Sequence, residues 1–296
     1  MAKQKVSIGI CAYNEEANIG ALLDSLIAQE LVNFEICEII VVSSASEDET
    51  DSIVEEYSKI ESKIRLIREK ERKGKAHAVN TYLQEAEGDI CVIQSGDTLA
   101  TPKTIEALCS PINSNSGVGA VGGRIIPIDG RRFFYNFANR FIWEIYSMVS
   151  AKFPKLGEIS AHKNIIESIP IDATSDDTFI EYAVTEAGYS LAYAPKAIIH
   201  NRGPDNFREY FRQRTRWRGA QLKLARDTNY KSASSRYNSV NIEVAKYILR
   251  NPLKIPFILA VCTIEVCSIL NAKRMLKRDI NSFNVWNPIE STKRSD

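Results

Sequence analysis

A cluster of cationic, amide and aromatic residues lies on a long predicted helix in the last third of the chain. The stretch "QRTRW" covers residues 213–217, and Gln213, Arg216 and Trp217 stand at positions i, i+3 and i+4. This spacing places the three side chains on one face of a helix. Guanidinium groups bind diphosphates and indole rings stack on sugars, so the face suits a sugar diphosphate. An exposed cationic helix, or one that binds lipid headgroups, remains the alternative.

Two adjacent acids stand in front of another predicted helix. The stretch "SDDTFIEYAV" begins with Ser175, Asp176 and Asp177. Ser175 is a suitable N-cap, and acids in a first turn interact favourably with the helix dipole. Capping accounts for one of the two acids but not for the arginine-rich helix that follows about thirty residues later.

Three further polar positions lie near predicted strand ends. Asp97, in "SGDT", could hold a divalent cation against a diphosphate, because Thr101 before Pro102 already supplies the next helix cap. Lys75, in "RKGKAHAVN", stands at a helix start, where backbone N–H groups and a lysine favour phosphate, although a solvated loop fits as well. His200 follows an apolar strand, and a lone histidine there is usually structural.

The first 125 residues alternate between strand-like and helix-like patterns. Apolar, β-branched runs predict the strands, and apolar residues three or four apart predict the helices. The predicted strands are "KVSIGICAY", "EICEIIVVSS", "IRLIRE" and "DICVIQSG", and the helices that follow them are "EANIGALLDSLIAQ", "DETDSIVEEYSKI", "KAHAVNTYLQEA" and "TPKTIEALCSPI". This order predicts an α/β fold with a mostly parallel, Rossmann-like sheet and helices on both faces. Ligands of such sheets bind at the carboxyl ends of the strands.

The second half of the chain does not continue the regular alternation of strands and helices. We predict, in order, one or two aromatic-rich helices over 131–153, a strand "LGEISAHK", a short helix up to Ile169, a helix "DDTFIEYAVTEAG", two short strands "SLAYAP" and "AIIHN", a long cationic helix "NFREYFRQRTRWRGAQLKLAR", a polar loop "DTNYKSASSRYNS", and a helical end with a polar tail. The glycine after "VTEA" is a helix stop signal.

Composition and charge limit the classes of partner. The 296 residues are 44% hydrophobic and 25% charged, which is ordinary for a globular protein. A net charge of +1 predicts no nucleic-acid partner. Residues 202–218 nevertheless hold six arginines against two acids. That local excess indicates an anionic small ligand or a lipid surface.

Cysteine usage and the chain start indicate the compartment. The six cysteines form no C-x-x-C pair and several lie in apolar runs, so we expect reduced thiols in a cytoplasmic protein. "MAKQK" runs straight into a strand without a signal peptide. The stretch "IPFILAVCTIEVCSIL" is shorter than the roughly twenty residues of a membrane span. We therefore expect a buried or interfacial helix, with the following "KRMLKR" able to face lipid headgroups.

Taken together and in order, these motifs resemble family-2 glycosyltransferases of GT-A fold. The resemblance covers residues 5 to about 225 and rests on "AYNEEANI", "IIVVSSASEDET", "RKGKAHAVN", "SGDT", "SDDTFIEYAVTEAGYSLAYAPKA" and "QRTRW". It implies a GT-A domain over 1–225, with a nucleotide-binding half of about 1–125 and an acceptor half of about 126–225. Residues 226–296 would add a polar loop, a helical membrane-interfacial segment and a tail.

The resemblance implies an inverting transfer of a sugar from a UDP- or GDP-linked donor to a hydroxyl of a glycan or lipid-linked acceptor. Asp177 would be the general base, and Asp97 would hold Mg²⁺ or Mn²⁺, with His200 as a further candidate ligand. The nucleotide-sugar positions would be Ala12, Tyr13, Glu15, Ser44, Lys75, Ser95 and Asp97. The acceptor and diphosphate positions would be Asp176, Gln213, Arg216 and Trp217. Peripheral contact with the inner face of the cell membrane would use residues 133–149 and 252–278.

The chain departs from the family pattern at three places. Ser43 and Ser44 replace an aspartate pair after the second strand, and Ser95 replaces the first aspartate of the metal-binding element. Asp176 stands where a glutamate is common. A degenerate transferase that binds nucleotide sugar without turnover is therefore the alternative hypothesis. A nucleotidyltransferase is a third, although "CAYNEEAN" lacks the phosphate-binding glycine-rich loop that such an enzyme would need.

Overall fold

The structure is a computed structural model that describes residues 3–230, 232–233, 236–279 and 289–293. Its strands are β1 (Gln4–Ala12), β2 (Phe34–Ser43), β3 (Ile64–Arg68), β4 (Ile90–Ser95), β5 (Thr98–Ala100), β6 (Val118–Ile128), β7 (Ile159–Lys163) and β8 (Ser190–Arg202). Its α-helices are α1 (Ile19–Ile27), α2 (Thr50–Ile60), α3 (Lys75–Glu85), α4 (Thr104–Ser114), α5 (Phe133–Ser150), α6 (Asp176–Glu186), α7 (Phe207–Thr228), α8 (Tyr237–Arg250) and α9 (Ile255–Arg278). Short 3₁₀ turns cover Pro252–Lys254 and Glu290–Lys293.

The strands form a single mixed sheet with the order β3-β2-β1-β4-β7-β6-β8-β5. The strands β3, β2, β1 and β4 are all parallel. The strand β7 then runs antiparallel to both neighbours, β4 and β6, whereas β6 and β8 are parallel. The predicted mostly parallel α/β fold is confirmed, because the alternating β-α pattern of the first half forces right-handed crossovers and parallel neighbours.

The first half of the sheet is buried on both faces, as its β-branched runs predict. Residues such as Ile8, Ile40 and Val92 are fully buried between α1 and α2 on one side and α3 on the other. The ring of Tyr82 lies directly over Gly9, where a side-chain Cβ would come within 2.4 Å of the ring. The Tyr82 hydroxyl donates a hydrogen bond of 2.8 Å to the carbonyl of Ser7, so α3 is fixed closely to β1.

The second half differs from the sequence prediction at residues 165–169 and around Pro195. Residues 165–169 are irregular, so the predicted short helix is wrong, because Pro170 disfavours the helical conformation before it. The two predicted strands around Pro195 are one strand, β8, whose pairing with β6 skips residues 195–197 opposite Gly123 and Arg124. Such an irregularity accommodates a proline without ending the strand. Parts of the predicted polar loop and of the polar tail lie outside the described residues.

The predicted aromatic helix and the carboxyl-terminal helix form a second layer beside the sheet. The helix α5 packs against α8 and α9, and their shared core includes Phe141, Tyr146, Tyr247 and Ile258. In the described part of the chain, Pro252–Arg278 is the one helical stretch with the length and apolar composition of a membrane span. Only 22% of its most apolar window is buried, although core helices of soluble proteins also meet this criterion.

Candidate active site

A cavity of about 290 Å³ opens where β1, β2 and β4 end. The predicted site residues that line it are Ala12, Tyr13, Glu15, Ser44, Lys75, Ser95, Asp97, Asp176, Asp177, Gln213, Arg216 and Trp217. The parallel strands end at one edge of the sheet, and α6 and α7 approach that edge from the second half of the chain. Folding therefore brings the acids before α6 and the Gln-x-x-Arg-Trp face of α7 into one space.

His200 is the exception among the predicted residues. It does not line the cavity, and its Nδ1 lies 3.1 Å from the carbonyl of Ile126 on the neighbouring strand. The next residue of β8, Asn201, lines the cavity instead and donates a hydrogen bond of 2.7 Å to Glu158. Successive side chains of a strand point to opposite faces, so His200 faces away from the site and is not the metal ligand we predicted.

Asp177 is held rigidly at the start of α6. Its Oδ1 accepts hydrogen bonds from the Ser175 hydroxyl and from the backbone N–H of Thr178, the latter at 2.8 Å. Ser175 occupies the N-cap position as predicted, but its hydroxyl donates to Asp177 rather than accepting from the backbone. The hydrogen bonds that the structure describes at this carboxylate all end on Oδ1, which leaves Oδ2 as the atom to receive a proton.

Asp176 has a different environment from its neighbour. Its Oδ2 lies 3.0 Å from the Nζ of Lys75 at the first residue of α3. Burial lowers the pKa of Lys75, but the carboxylate of Asp176 more than offsets this and holds the pKa above its usual range. Lys75 is therefore fully charged at neutral pH and fixes Asp176 against α3, so the two adjacent acids serve different purposes.

The arginines of helix α7 have different partners. The cavity is lined by Gln213, Arg214, Arg216 and Trp217, and Arg214 also binds, together with Arg218, the carboxylate of Glu265 on α9. The guanidinium carbons of Arg214 and Arg218 lie 4.5 and 4.9 Å from the Trp217 ring centroid. The ring of Trp217 is thus held by two cations that are themselves fixed by a buried acid. These two arginines support the site rather than adding to a patch for anions.

Burial lowers the pKa of Arg216 to about 9. The nearby carboxylates of Asp176, Asp97 and Glu158 act in the opposite direction but only partly offset the effect of burial. The guanidinium of Arg216 remains charged at neutral pH at this value. It is therefore a positive charge among several carboxylates in the wall of the cavity, at the position that the sequence assigned to a diphosphate.

Tyr13 and Arg72 form an aromatic platform in another part of the cavity wall. The guanidinium of Arg72 lies 3.8 Å from the centroid of the Tyr13 ring. Lys293, from the carboxyl-terminal turn, donates to the carbonyl oxygens of Tyr13 and Asn14, the first at 2.6 Å. Its Nζ also lies 3.1 Å from Glu15. A contact across 280 residues of sequence has no local signal, so Lys293 could not be predicted.

Ser44 lies between the cavity and α3. Its hydroxyl donates a hydrogen bond of 2.7 Å to Glu69, which also contacts His77. Ser44 has no carboxylate of its own, but Glu69, which does not line the cavity, places one within hydrogen-bond distance of it. The Ser44 oxygen keeps lone pairs that can still accept a hydrogen bond from a ligand.

Glu15 and Glu158 lie within electrostatic reach of Asp97, the candidate metal-binding residue. Desolvation, with the charge of Asp97 as the next cause, raises the pKa of Glu15 to about 7 and that of Glu158 to about 8. Desolvation also raises the pKa of Asp97 itself. The described residues contain no cluster of three or more metal-ligating side chains. This donor set fits Mg²⁺ or Mn²⁺ that is shared between one carboxylate and phosphate oxygens, because such ions use few protein ligands.

Two residues of the segment between α5 and β7 line the cavity although the sequence did not predict them as site residues. Lys155 and Glu158 both line it, and the segment is held by Glu181 of α6, which accepts a hydrogen bond of 2.7 Å from the N–H of Leu156. The stretch "LGEISAHK" was predicted as a strand throughout, whereas β7 begins only at Ile159. The irregular backbone before β7 turns these two side chains into the site.

Comparison with known protein families shows which family the chain belongs to. The pattern described as Glycosyl transferase family 2 matches residues 7–167, and that described as Glycosyl transferase family group 2 matches residues 90–261. The chain belongs to glycosyl transferase family 2. Both matched segments contain cavity residues, since the first covers Asp97 and the second extends over Asp177 and Trp217.

Curated relatives of this family-2 glycosyltransferase include two with similarity over most of the chain. A probable glycosyltransferase of Bacillus subtilis, YdaM, is 28% identical over 239 residues, which are 73% of this chain and 55% of the relative. Glycosyltransferase AglE of Haloferax volcanii is 27% identical over 202 residues, which are 65% of each chain. The chain thus spans between half and two thirds of the length of these relatives.

Solved structures share the fold of this family-2 glycosyltransferase. A mannosyltransferase of Pyrobaculum calidifontis, in complex with GDP-Man and Mn²⁺, has a TM-score of 0.61 at 24% identity and covers 99% of this chain and 84% of its own. S. aureus TarS 1-349, in complex with UDP-GlcNAc, has a TM-score of 0.51 at 15% identity and covers 93% of this chain and 92% of its own. The predicted GT-A architecture is confirmed by these neighbours.

Proposed function

We propose that the chain transfers a sugar from a nucleotide-sugar donor to a hydroxyl of an acceptor, with inversion at the anomeric carbon. The observation that carries this proposal is that Asp177 lines the same cavity as Arg216 and Trp217. A base and a leaving-group site must stand on opposite sides of the sugar in an in-line displacement. Placement of Asp177 on α6 and of Arg216 on α7 provides two separate elements for these two roles.

Asp177 is the general base in this proposal. The acceptor oxygen forms a bond to the anomeric carbon while its proton passes to Oδ2 of Asp177. The bond between the anomeric carbon and the diphosphate oxygen breaks, and its electron pair leaves with the diphosphate. The hydrogen bonds from Ser175 and Thr178 to Oδ1 fix the carboxylate during this step. Pre-set geometry of this kind removes much of the entropic barrier to a bimolecular reaction.

The charge on the leaving diphosphate would be stabilised by cations that already line the cavity. Lys75 and Arg216 are held among acids, and their fixed positions make reorganisation during the reaction unnecessary. Asp97 would hold Mg²⁺ or Mn²⁺, which would supply further positive charge to the diphosphate oxygens. Complexes of structural neighbours with GDP-Man and Mn²⁺, and with UDP-GlcNAc, are consistent with this arrangement.

The nucleoside would lie at the end of the cavity formed by Tyr13 and Arg72. Stacked on each other at 3.8 Å, these side chains provide a flat surface next to Ala12 and Glu15. We assign the nucleotide half to residues of about 1–125 and the acceptor half to about 126–225, because the Trp217 end of the cavity is built from α5, α6 and α7.

The acceptor would be a glycan or lipid-linked sugar, reached from the inner face of the cell membrane. Leu253 is 93% exposed, Phe133 is 72% exposed, and Leu259 projects from the same layer. The last turns of α9 carry the cations of "KRMLKR". Apolar side chains beside cations are typical of a helix that rests in the interface of an anionic membrane. Residues 133–149 and 252–278 would form this contact.

A thermal-shift screen of UDP- and GDP-sugars, with and without Mn²⁺, tests the proposed function when it is paired with a transfer assay. A donor at 100 times its dissociation constant stabilises the folded chain by about 2.7 kcal/mol. We expect one nucleotide series to raise the melting temperature, and Mn²⁺ to increase the effect. Failure of every nucleotide sugar to bind would refute the proposal.

The same screen distinguishes the alternative of a non-catalytic binding module. That alternative is favoured by Ser44 and Ser95, which have no charge at positions where a carboxylate would strengthen nucleotide and metal binding. Binding of a nucleotide sugar without hydrolysis, and without transfer across a broad panel of acceptors, would support the module. The retention of Asp177 and of the complete face of α7 favours the enzyme.

A further inference from the structure

Lys155 is a buried cation in the wall of the cavity that the proposed transfer step does not use. Only 7% of the residue is exposed, and it lies on the segment between α5 and β7. Its Nζ stands 5.3 to 5.9 Å from the ring centroids of Trp143, Tyr146 and Trp217. A lysine is rarely buried to this extent, because transfer of an ammonium group out of water is unfavourable unless a partner is supplied.

The partners described for Lys155 do not satisfy its hydrogen-bonding capacity. An ammonium group has three donors. Among the described residues, its hydrogen bond is the one of 3.1 Å to the carbonyl of the adjacent Leu156, and no carboxylate lies within ion-pair distance. The three aromatic rings attract the charge through their faces, but they accept no strong hydrogen bond. The remaining donors can bind a group that enters the cavity.

Glu181 lies within electrostatic reach of Lys155, but its carboxyl group is bound by other donors. It accepts a hydrogen bond of 2.7 Å from the N–H of Leu156 and one of 3.2 Å from the Tyr230 hydroxyl. Burial, with the charge of Asp177 as the next cause, raises the pKa of Glu181 to about 8, and the charge of Lys155 opposes this shift. Glu181 therefore forms no ion pair with Lys155, and the charge of Lys155 can be compensated by a ligand.

The position of Lys155 separates it from the donor diphosphate. Lys75 and Arg216 lie among Asp176 and Asp97 near the strand ends, where the diphosphate would bind. Lys155 belongs instead to the aromatic wall formed by α5 and α7, with Trp217 as the shared residue. Aromatic surfaces of this kind stack on the apolar faces of sugars. A sugar held there with its anionic substituent on Lys155 would have hydroxyl groups directed into the cavity.

We propose that Lys155 binds an anionic group of the acceptor, a phosphate or a carboxylate, beside the sugar face that stacks on Trp217. This inference rests on the proposed transferase function and narrows the acceptor to an acidic one. An ammonium group recognises such anions as a point charge. A phosphate in this place could come from a soluble sugar phosphate or from a lipid-linked sugar, and the two sources differ in the lipid chain and in the number of ester bonds to phosphate.

The test compares Lys155→Met with a matched control, Lys163→Met, on protein saturated with the nucleoside diphosphate of its donor. Lys163 also contacts an aromatic ring, that of Tyr189 at 4.3 Å, but it is absent from the lining of the cavity. Glucose 6-phosphate and glucuronate are titrated against neutral glucose, and farnesyl phosphate against neutral farnesol. Saturation with nucleotide keeps these probes away from the diphosphate site.

We expect at least one anionic probe to bind the wild-type chain about tenfold more tightly than its neutral counterpart. Lys155→Met should remove this preference without changing the affinity for the nucleotide, whereas Lys163→Met and the charge-conserving Lys155→Arg should keep it. A preference for the sugar acids or the sugar phosphate alone identifies a soluble acceptor, and one for farnesyl phosphate a lipid-linked acceptor.

The inference is overturned if anionic and neutral probes bind the wild type equally, or if Lys155→Met retains the preference. Nucleotide affinity distinguishes this outcome from a failure of the proposed function, because a chain that binds no nucleotide at all refutes the function itself. Should Lys155→Met fail to fold, Lys155→Gln replaces it, with its melting temperature as the check.

Discussion

The ammonium of Lys75 lies 3.0 Å from the carboxylate of Asp176 and joins the start of α3 to the start of α6 across the cavity. The side chains are 34% and 12% exposed, so this ion pair is partly shielded from solvent. The ion pair engages Asp176, whereas the adjacent acid, Asp177, lines the cavity without a bond to Lys75. The two halves of the chain are therefore coupled at the point where donor and acceptor would meet.

Replacement of Lys75 should weaken donor binding more than it weakens folding. Lys75→Met removes a charged donor near the proposed diphosphate, and charged hydrogen bonds contribute about 1.5–3 kcal/mol. We expect a rise in the dissociation constant of the nucleotide sugar of roughly 10- to 100-fold, measured by calorimetry. Lys73→Met is the control, because Lys73 pairs with the exposed Glu71 at 3.3 Å. Equal effects of the two substitutions would argue against a diphosphate role for Lys75.

The buried contact between α7 and α9 should contribute strongly to stability. Glu265 binds Arg214 and Arg218, whose side chains are 8% and 7% exposed, so Glu265→Ala leaves two buried cations without their acid. Removal of one member of a buried ion pair costs about 3–5 kcal/mol of unfolding free energy. Urea denaturation should show this loss, together with a change in the environment of Trp217.

Glu243→Gln is the control for the loss of unfolding free energy expected in Glu265→Ala. Glu243 also pairs with two cations, Lys152 and Lys246, but these are 56% and 44% exposed. Ion pairs with exposed partners contribute about 0–1 kcal/mol. If Glu265→Ala were no more destabilising than Glu243→Gln, the support that we ascribe to the Arg214–Glu265–Arg218 network would be absent.

Raised pKa values in the cavity wall predict how stability varies with pH. Burial raises the pKa of Glu181 to about 8, so the folded chain holds this proton more tightly than the unfolded chain, whose value is 4.5. Its contribution to the unfolding free energy is therefore fully present below about pH 4.5 and is lost as the pH rises through about 8. Glu158 acts in the same direction, with a pKa of about 8.

Urea midpoints measured at intervals from pH 5 to pH 8 check this expectation. The unfolding free energy should fall over the range in the wild type and should fall less in Glu181→Gln, which keeps an acceptor for the N–H of Leu156. Glu71→Gln, at a side chain that is 73% exposed, should leave the slope unchanged. A slope that Glu181→Gln does not alter would show that this carboxyl is ionised in the folded chain.

Asp97 should control the response to metal. Asp97→Asn removes the carboxylate that we assign to Mg²⁺ or Mn²⁺, so Mn²⁺ should no longer increase the melting temperature of the donor-bound chain. Donor alone should still produce a shift through Lys75 and Arg216. Asp129→Asn, at a side chain 50% exposed and paired with Arg140, is the matched control. Persistence of the Mn²⁺ effect in Asp97→Asn would place the metal elsewhere.

The sequence was most informative where one local pattern decides the outcome. The strands β1 to β4 were predicted within two residues, because β-branched runs between turn signals have few alternatives. The site residues at their ends, and those that open α6 and face the cavity from α7, were also predicted, since parallel strands end at one edge. Residues whose roles depend on distant partners were not predicted. Lys293 and Lys155 reach the site, and Glu265 supports it from α9, through contacts that no local pattern contains.

Assignment of Asp177 as the base is tested most directly by Asp177→Asn. The amide keeps an oxygen for the hydrogen bonds from Ser175 and Thr178, so the fold and the donor site should persist, but it cannot take a proton. We predict that kcat for sugar transfer falls by about 10²- to 10⁴-fold, with the donor dissociation constant nearly unchanged, whereas Glu186→Gln at the exposed end of α6 has no effect. Full transfer activity in Asp177→Asn would contradict the account.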